Sequence, residues 1–279
     1  MLEKLSVIAA DIDGTLAMKG GDLMPKTRAA LQRLHREGVK FGVASGRPLD
    51  RRIIDKAKDW SLGFPFDFAI GMNGGELYDR ETGEIEKIYQ LSKEDVFEIV
   101  SFLAPLDVNC IIYINGYDDI AALRMDAFMI DSQKRNNSHV RIGGPELLGS
   151  YDTGKVEVHL KPKDEEEIMK VVEAHASDRY SCIKTFARED HITIEFIDPR
   201  VNKGMALRKY SELKNIPLSE FMAFGDMEND LELLKTAAWG VCLKNGSVAV
   251  KEIAQAVTEY DVYNDGVGNY LETYWFDRK

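Results

Sequence analysis

The stretch LSVIAADIDGT, residues 5–15, joins a short apolar run to two closely spaced aspartates. The run Leu5–Ala10 is too short for a signal peptide and is typical of a strand buried on both faces of a parallel sheet. Residues two apart in an extended chain share a face, so Asp11 and Asp13 are predicted to lie together where this strand ends. Open α/β sheets bind their ligands at that end.

Two carboxylates held close together in a poorly solvated place repel each other, and a bound cation relieves the repulsion. Carboxylate oxygens are ligands that suit Mg²⁺. The structural alternative is a turn at Asp13-Gly14 that happens to carry one more acid. For this motif taken alone, both interpretations stay open.

A second acidic cluster, Asp226-Met227-Glu228-Asn229-Asp230, follows the apolar run Phe221–Phe224. Asp226 and Asp230 are four residues apart, so they face the same way across one helical turn. Acids at the start of a helix also stabilise its dipole and cap its free amides, which leaves a purely structural role open. The position after a predicted strand favours a place beside Asp11.

Two further positions have a similar setting. Ser45 follows the predicted strand Val39–Ala44, and its hydroxyl with the backbone amides after it, beginning at Gly46, suits phosphate oxygens. Alternatively, Ser45 only caps the next helix, which is predicted to have Pro48 near its first position. Lys203 begins a predicted helix, where a positive charge is electrostatically disfavoured. This unfavourable position indicates a negative partner, although a solvated lysine is the simpler interpretation.

Composition narrows the class of protein. The 279 residues carry a formal net charge of −11. An acidic surface disfavours the binding of nucleic acid, whose phosphate backbone requires clustered positive charge. A local positive pocket for a small phosphorylated ligand is still compatible with this net charge. The three cysteines are far apart, so neither a disulfide framework nor a zinc site is expected and a cytoplasmic location is predicted. No apolar run is long enough to span a bilayer, so no membrane association is expected.

The order of predicted elements indicates an interrupted domain. Strands and helices alternate in residues 1–82, as in a parallel α/β sheet. Residues 83–198 contain two similar β-α-β units instead, the first with Ser92 and Asp95 spaced as a capping box. The alternation of strands and helices seen in residues 1–82 resumes in residues 199–279. We therefore predict one α/β core domain, residues 1–82 and 199–279, with an α/β domain inserted at 83–198.

The segment from Asp118 to Arg141 is long for a connection between the two repeated units. It is predicted to form a helix with Leu123, Ala127 and Ile130 facing inward. A loop that faces the substrate is the alternative.

The motifs D-x-D-G-T, S-G-R, N-K-G and G-D-x-x-N-D occur in this order along the chain. Together they resemble the haloacid dehalogenase (HAD) superfamily over essentially the whole length. The insertion and the late segment Asn264-Asp265-Gly266-Val267 resemble its Cof-type sugar-phosphatase branch, subclass IIB. The resemblance implies a Rossmann-like core with an inserted α/β cap, and a Mg²⁺-dependent phosphatase of sugar phosphates and other small metabolites. One departure is Met72-Asn73-Gly74-Gly75, where the branch more often has N-G-A.

The resemblance also implies residue roles. Asp11 would be the nucleophile that receives the phosphoryl group, and Asp13 the general acid that becomes the general base. Phosphate or substrate would be held by Ser45, Gly46, Lys203 and Asn229. The Mg²⁺ ligands would be Asp11, Asp13 through its backbone carbonyl, and Asp226, with Asp230 in support. The inserted domain would act as a lid.

Three alternatives to a phosphatase stay open for this sequence. A phosphomutase of the phosphomannomutase type would keep all the core residues. A phospho-accepting signalling module would gather similar side chains on a parallel sheet but would lack the inserted domain. A catalytically silent binding protein would not need every motif to be intact. The expected partner is a small phosphorylated metabolite, with sugar, polyol and cofactor phosphates all open. A monomer and a homodimer both remain possible.

Overall fold

A computed structural model describes residues 2–277, which form two compact units. One unit consists of residues 2–86 and 202–277, and the other, residues 87–201, is inserted between these two stretches. The assignment of the stretches as core and cap, with boundaries after residues 82 and 198, stays a prediction.

The first unit is built on an eight-stranded sheet. The six strands at one side of this sheet pair in parallel, and Glu76–Asp79 runs antiparallel to Phe68–Gly71. The predicted α/β class with a parallel-sheet core is confirmed. The order of strands across the sheet is Ala256–Val257, Trp239–Cys242, Phe221–Gly225, Val7–Asp11, Lys40–Ala44, Phe68–Gly71, Glu76–Asp79 and Glu84–Lys87.

Helices of this unit pack on the sheet around a core that includes the buried Trp60, Phe66 and Phe224. The helix predicted to begin near Pro48 begins at Arg51 instead. The carboxylate of Asp50 accepts a hydrogen bond of 2.8 Å from the amide of Arg52, so Asp50 is the N-cap and fixes the later start. The helices are Pro25–Arg36, Arg51–Ile54, Lys56–Asp59, Lys203–Lys214, Leu231–Thr236, Val248–Ile253 and Gly266–Leu271.

The strand Val7–Asp11 is buried along its whole length, as its apolar sequence predicts. It lies between Lys40–Ala44 and Phe221–Gly225, its neighbours on either side, and pairs in parallel with both. The connection after Val7–Asp11 leads to Lys40–Ala44 on one side, whereas the connection after Phe221–Gly225 leads to Trp239–Cys242 on the other side. The topological switch point, where such sheets bind ligands, therefore lies between Val7–Asp11 and Phe221–Gly225.

The helix Pro25–Arg36 receives its N-terminal cap from the far end of the chain. Its own N-cap residue, Met24, makes no side-chain cap hydrogen bond. Instead, the buried carboxylate of Asp265 accepts from the backbone amides of Lys26 and Thr27, at 2.6 and 2.9 Å, and from the Thr27 hydroxyl at 2.6 Å. The late segment around Asp265 therefore has a structural role in this unit.

We expect Asp265→Gly to lower the free energy of unfolding by about 2 kcal/mol, because three hydrogen bonds are lost, two of which cap the helix. Glycine tolerates the left-handed φ of 59° at this position, so the loss reports the carboxylate and not backbone strain. Urea denaturation measures the effect. A free energy of unfolding within about 0.5 kcal/mol of wild type would contradict the capping role.

The inserted unit contains a six-stranded sheet. Its apolar core includes Val96 and Ile99 from a helix and Phe196 from a strand. The capping box predicted for Ser92 and Asp95 is confirmed: the amide of Asp95 donates to Ser92 Oγ, and the amide of Ser92 donates to Asp95 Oδ2. The strand order is Ser181–Ala187, Ile192–Ile197, Val156–Leu160, Asn109–Asn115, Asp119–Ala122 and His139–Ile142. The helices are Lys93–Leu103, Ala127–Asn136, Pro145–Leu148 and Glu165–Ala174.

The segment from Asp118 to Arg141 does contain a helix, Ala127–Asn136, but its predicted inward face is wrong. Ile130 is 41% exposed, whereas Met129 is 1% exposed. The helix begins only after Asp126, whose carboxylate accepts from the amide of Met129 at 2.8 Å, and this start directs Met129 inward. Across residues 2–277, no helix combines the length and apolar character that crossing a membrane requires.

Candidate active site

Three predicted site segments follow neighbouring parallel strands. Asp11 ends the central strand, Ser45 follows Lys40–Ala44, and Asp226 follows Phe221–Gly225. The register aligns Asp11 with Ala44, so these three residues emerge at one edge of the sheet. Residues that are far apart in sequence thus meet because each one stands where a strand ends.

Three buried carboxylates come together at this edge. Oxygens of Asp11, Asp226 and Asp230 all lie within 4.8 Å of one another. The three residues are 8%, 5% and 0% exposed, so little solvent screens their mutual repulsion. Such a cluster requires positive charge nearby.

Part of this positive charge comes from Lys203, which is fully buried. Its Nζ donates hydrogen bonds of 2.6 Å to Asp11 Oδ1 and of 2.6 Å to Asp230 Oδ1. Burial by itself would lower the pKa of Lys203, but the two adjacent carboxylates outweigh it and hold that pKa above its ordinary value. The unfavourable lysine at a helix start is therefore explained by negative partners, while Asn202 caps the helix by accepting from the amide of Met205.

The acids remain electrostatically unbalanced despite Lys203. Burial raises the pKa of Asp11 well above its ordinary value; Lys203 opposes this shift, and the neighbouring Asp230 and Asp226 add to it. Burial likewise raises the pKa of Asp226 to about 6, although the hydroxyl of Thr15 donates to its Oδ1 at 2.7 Å. A set of clustered oxygen donors with raised pKa values fits a hard divalent cation such as Mg²⁺.

Asp230 supports this arrangement from within the second acidic cluster. Its Oδ2 accepts from the backbone amides of Asp226 and Met227, at 2.9 and 3.1 Å, while its Oδ1 faces Lys203. The structural interpretation of this cluster thus holds for Asp230, and the chemical interpretation stays a prediction. Asp230 organises the backbone, and Asp226 presents its carboxylate to Asp11.

Gly14 allows the two acidic loops to approach. Its φ of +94° is a conformation that side-chain-bearing residues rarely adopt. A Cβ atom at this position would lie 2.4 Å from Asp226 Oδ2. The glycine of the D-x-D-G motif is therefore required both by the backbone and by the neighbouring carboxylate.

Asp13 lies beside the cluster and contacts Arg47. A guanidinium nitrogen of Arg47, Nη2, donates to Asp13 Oδ2. The other oxygen, Asp13 Oδ1, is buried and has no hydrogen-bond partner among residues 2–277. Sequence reasoning did not assign a role to Arg47, although it is the last residue of the S-G-R motif.

Two of the predicted phosphate-binding residues, Gly46 and Asn229, lie against the side chain of Asn73. Ser45 is buried, and its Oγ accepts from the amide of Arg47 at 3.2 Å. The side-chain nitrogen of Asn229 donates to Asn73 Oδ1 at 3.0 Å, and a Cβ atom at Gly46 would lie 3.0 Å from that same oxygen. Asn73 was not among the predicted site residues, yet Asn229 and Gly46 meet at its side chain.

Comparison with known proteins identifies the family of the chain. Residues 8–271 match a family model described as haloacid dehalogenase-like hydrolase. The chain belongs to this family. The resemblance on which the sequence interpretation relied is confirmed, as is the prediction of a hydrolase.

Individual relatives cover nearly the entire chain. The 5-amino-6-(5-phospho-D-ribitylamino)uracil phosphatase of Bacillus subtilis (strain 168) is 29% identical over 280 residues, which are 99% of each chain. A crystal structure from Thermotoga maritima is 26% identical, has a TM-score of 0.82, and covers 96% of this chain and 97% of its own. A solved subclass IIB sugar phosphatase of the HAD superfamily shares the fold, with a TM-score of 0.76 at 21% identity and coverage of 96% and 98%.

Proposed function

We propose that the protein is a Mg²⁺-dependent phosphatase that hydrolyses a small phosphorylated metabolite through an aspartyl-phosphate on Asp11. The observation that carries the proposal is the buried group of carboxylates from Asp11, Asp226 and Asp230 beside the Lys203 ammonium. Membership of the haloacid dehalogenase-like hydrolase family and relatives named phosphatases support it.

The proposed metal ligands are the carboxylates of Asp11 and Asp226 and the backbone carbonyl of Asp13. When bound, Mg²⁺ supplies positive charge that offsets the charge of the phosphate, so that two anions can approach each other. Lys203 adds a second positive charge next to Asp11. The hydroxyl of Ser45, the amide of Gly46 and the side chain of Asn229 would donate hydrogen bonds to phosphate or substrate oxygens.

The reaction is proposed to run in two displacements. A carboxylate oxygen of Asp11 forms a bond to phosphorus while the bond from phosphorus to the ester oxygen breaks, and Asp13 gives its proton to that oxygen. Asp13 then accepts a proton from water, whose oxygen forms a bond to phosphorus while the bond from phosphorus to the Asp11 oxygen breaks, which releases inorganic phosphate and restores the Asp11 carboxylate.

The proposed substrate class is sugar or polyol phosphates and similar small metabolites. The Bacillus subtilis relative is named for a substrate that carries a phosphorylated ribityl chain, which falls within this class. The net charge of −11 argues against nucleic acid. Cys110, Cys182 and Cys242 are all free, in keeping with the proposed cytoplasmic location.

The phosphomutase alternative is not favoured, because the relatives are named phosphatases. The two activities differ in their product. A hexose phosphate incubated with the enzyme would yield inorganic phosphate under the present proposal, and an isomeric hexose phosphate without free phosphate under the alternative. A panel of metabolite phosphates with free phosphate as the readout identifies the substrate class in the same experiment.

Metal removal tests the cofactor. We expect EDTA to abolish phosphate release from p-nitrophenyl phosphate and added Mg²⁺ to restore it. Asp226→Ala should raise the Mg²⁺ concentration for half-maximal activity by roughly 10- to 100-fold or more, because a proposed ligand is lost. Glu228→Ala, at an exposed acid of the same loop, is the matched control and should leave this concentration unchanged. Full activity of the native protein in EDTA would remove the metal from the mechanism.

A further inference from the structure

A strained turn lies next to the proposed phosphate-binding residues, in the segment where the motif departs from N-G-A. Three consecutive residues have left-handed φ angles: Met72 at 48°, Asn73 at 55° and Gly74 at 118°. All three are buried. Glycine and asparagine tolerate this region of φ, but a methionine there is uncommon, and such strain persists only where surrounding contacts enforce it.

Backbone contacts tie this turn to the S-G-R segment on both sides of Gly46. The amide of Asn73 donates to the carbonyl of Ser45 at 3.1 Å, and the amide of Met72 donates to the carbonyl of Arg47 at 2.9 Å. A side chain at Gly46 would press on Asn73 Oδ1, so the glycine makes room for the asparagine. The position of the Ser45–Arg47 backbone is therefore set by the turn.

The same turn contacts the two other phosphate-binding segments. Asn73 Oδ1 accepts from the Asn229 side chain at 3.0 Å. A Cβ atom at Gly74 would lie 2.2 Å from the carbonyl oxygen of Asn202 and 3.1 Å from the amide nitrogen of Lys203, so the turn packs directly against the start of that helix. The turn at residues 72–74 thus contacts three segments that are far apart in sequence, namely residues 45–47, residues 202–203 and Asn229.

We infer that Asn73 is a positioning residue of the proposed phosphatase, which holds the Asn229 amide and the Ser45–Arg47 backbone at a fixed spacing around the phosphate. The inference rests on the proposed function. The Asn229 amide nitrogen carries two hydrogens, and Asn73 accepts one of them, leaving the other for an anion. Asparagine meets two requirements at once here, a left-handed backbone and a neutral side-chain acceptor.

Asn73→Gly separates these two requirements. Glycine keeps the φ of 55°, so the turn is retained while Oδ1 is removed. We expect kcat/KM for p-nitrophenyl phosphate to fall by roughly 10- to 100-fold, because the groups that hold the phosphate lose their alignment. The matched control is Asn215→Gly, the same substitution at a left-handed asparagine (φ 51°) at the opposite end of the helix Lys203–Lys214. This control should change kcat/KM by less than about twofold, like other substitutions at exposed positions away from the site.

A double-mutant cycle shows whether Asn73 acts through Asn229. Asn229→Ala removes the donor of the same hydrogen bond from an exposed position, so it also covers the case in which Asn73→Gly folds poorly. If Asn73 acts partly through Asn229, the loss of activity in the double variant is smaller than the product of the losses in the two single variants. Losses that multiply, or a kcat/KM of Asn73→Gly within about twofold of wild type, would overturn the inference.

Nuclear magnetic resonance of the Asn229 side-chain amide tests the contact without any reaction. We expect its two N–H signals to shift and to exchange faster with solvent in Asn73→Gly, and to match wild type in Asn215→Gly. Unchanged signals in Asn73→Gly would refute the inference even if the protein is a phosphatase. If the wild-type protein releases phosphate from no ester tested, the proposed function fails, and these signals still decide whether Asn73 holds Asn229.

Discussion

Asp11→Asn is expected to reduce phosphate release at least about a thousandfold while leaving the fold intact, because the amide cannot serve as the nucleophile of the proposed reaction. Asparagine has the shape of aspartate, and its side-chain oxygen can still accept the hydrogen bond from Lys203. Phosphate release from p-nitrophenyl phosphate under saturating Mg²⁺ measures the effect. Trapping of a phosphorylated protein in the wild type and its absence in the variant would place the phosphoryl group on this residue.

The same substitution has an expected effect on stability with the opposite sign. Burial raises the pKa of Asp11 well above its ordinary value, so the fold disfavours the ionised carboxylate. This unfavourable contribution is absent below the ordinary pKa of an aspartate, which is about 4, and it grows as pH rises toward the pKa of Asp11 in the folded state. A neutral side chain removes it, so Asp11→Asn in EDTA should be as stable as wild type or more stable at pH 7.5, with the difference vanishing near pH 4.

A matched control keeps these two effects separate from the loss of an acid in general. Asp22→Asn, at an exposed position of the same unit, should retain wild-type turnover and wild-type stability at both pH values. Near-wild-type turnover by Asp11→Asn would refute the nucleophile assignment. A large loss of stability in Asp11→Asn at pH 7.5 would instead show that the ionised carboxylate holds the fold together.

The parts of the site that sequence reasoning located are those set by local rules. Asp11, Ser45 and Asp226 each follow a short apolar run, and parallel strands bring their carboxyl ends to one edge. Lys203 was noticed because a lysine at a helix start is electrostatically out of place. In each case the signal lies within a few residues of the side chain concerned, so the sequence contains it.

The parts that sequence reasoning missed depend on contacts between distant segments. Nothing near Asp265 indicates that its carboxylate caps a helix that begins about 240 residues earlier, at Pro25. The left-handed backbone at Met72 cannot be predicted from a methionine, because the surrounding packing imposes it. The role of Asn73 follows from that backbone, so it became visible only once the turn was in place.

Replacing the buried lysine should have the largest effect on stability. Lys203→Met keeps an unbranched side chain of similar length but leaves Asp11 and Asp230 without their shared ammonium. Removing one partner from a buried ion pair typically costs about 3–5 kcal/mol, since the remaining charge stays buried and uncompensated. We expect a loss of this size in urea denaturation in EDTA at pH 8, together with a loss of phosphatase activity.

The dependence of this loss on pH identifies its cause. Without the ammonium, the pKa of Asp11 rises further, because Lys203 is the group that lowers it. The folded variant then keeps a proton at pH values at which the unfolded chain has lost it. The destabilisation of Lys203→Met should therefore be greatest at pH 8 and shrink as pH falls toward 5. A loss that is the same at both pH values would indicate missing packing contacts and not unpaired charge.

Two further variants complete this test. Lys209→Met, on the exposed side of the same helix, removes a pairing with Glu86 and should change the free energy of unfolding by less than about 1 kcal/mol. Adding Asp11→Asn and Asp230→Asn to Lys203→Met leaves these three positions without charge, and should recover much of the lost stability while the protein stays inactive. Recovery without activity would mean that the charged cluster is maintained for chemistry at the expense of stability. A triple variant no more stable than Lys203→Met would show that the lysine stabilises the fold by some means other than neutralising these two acids.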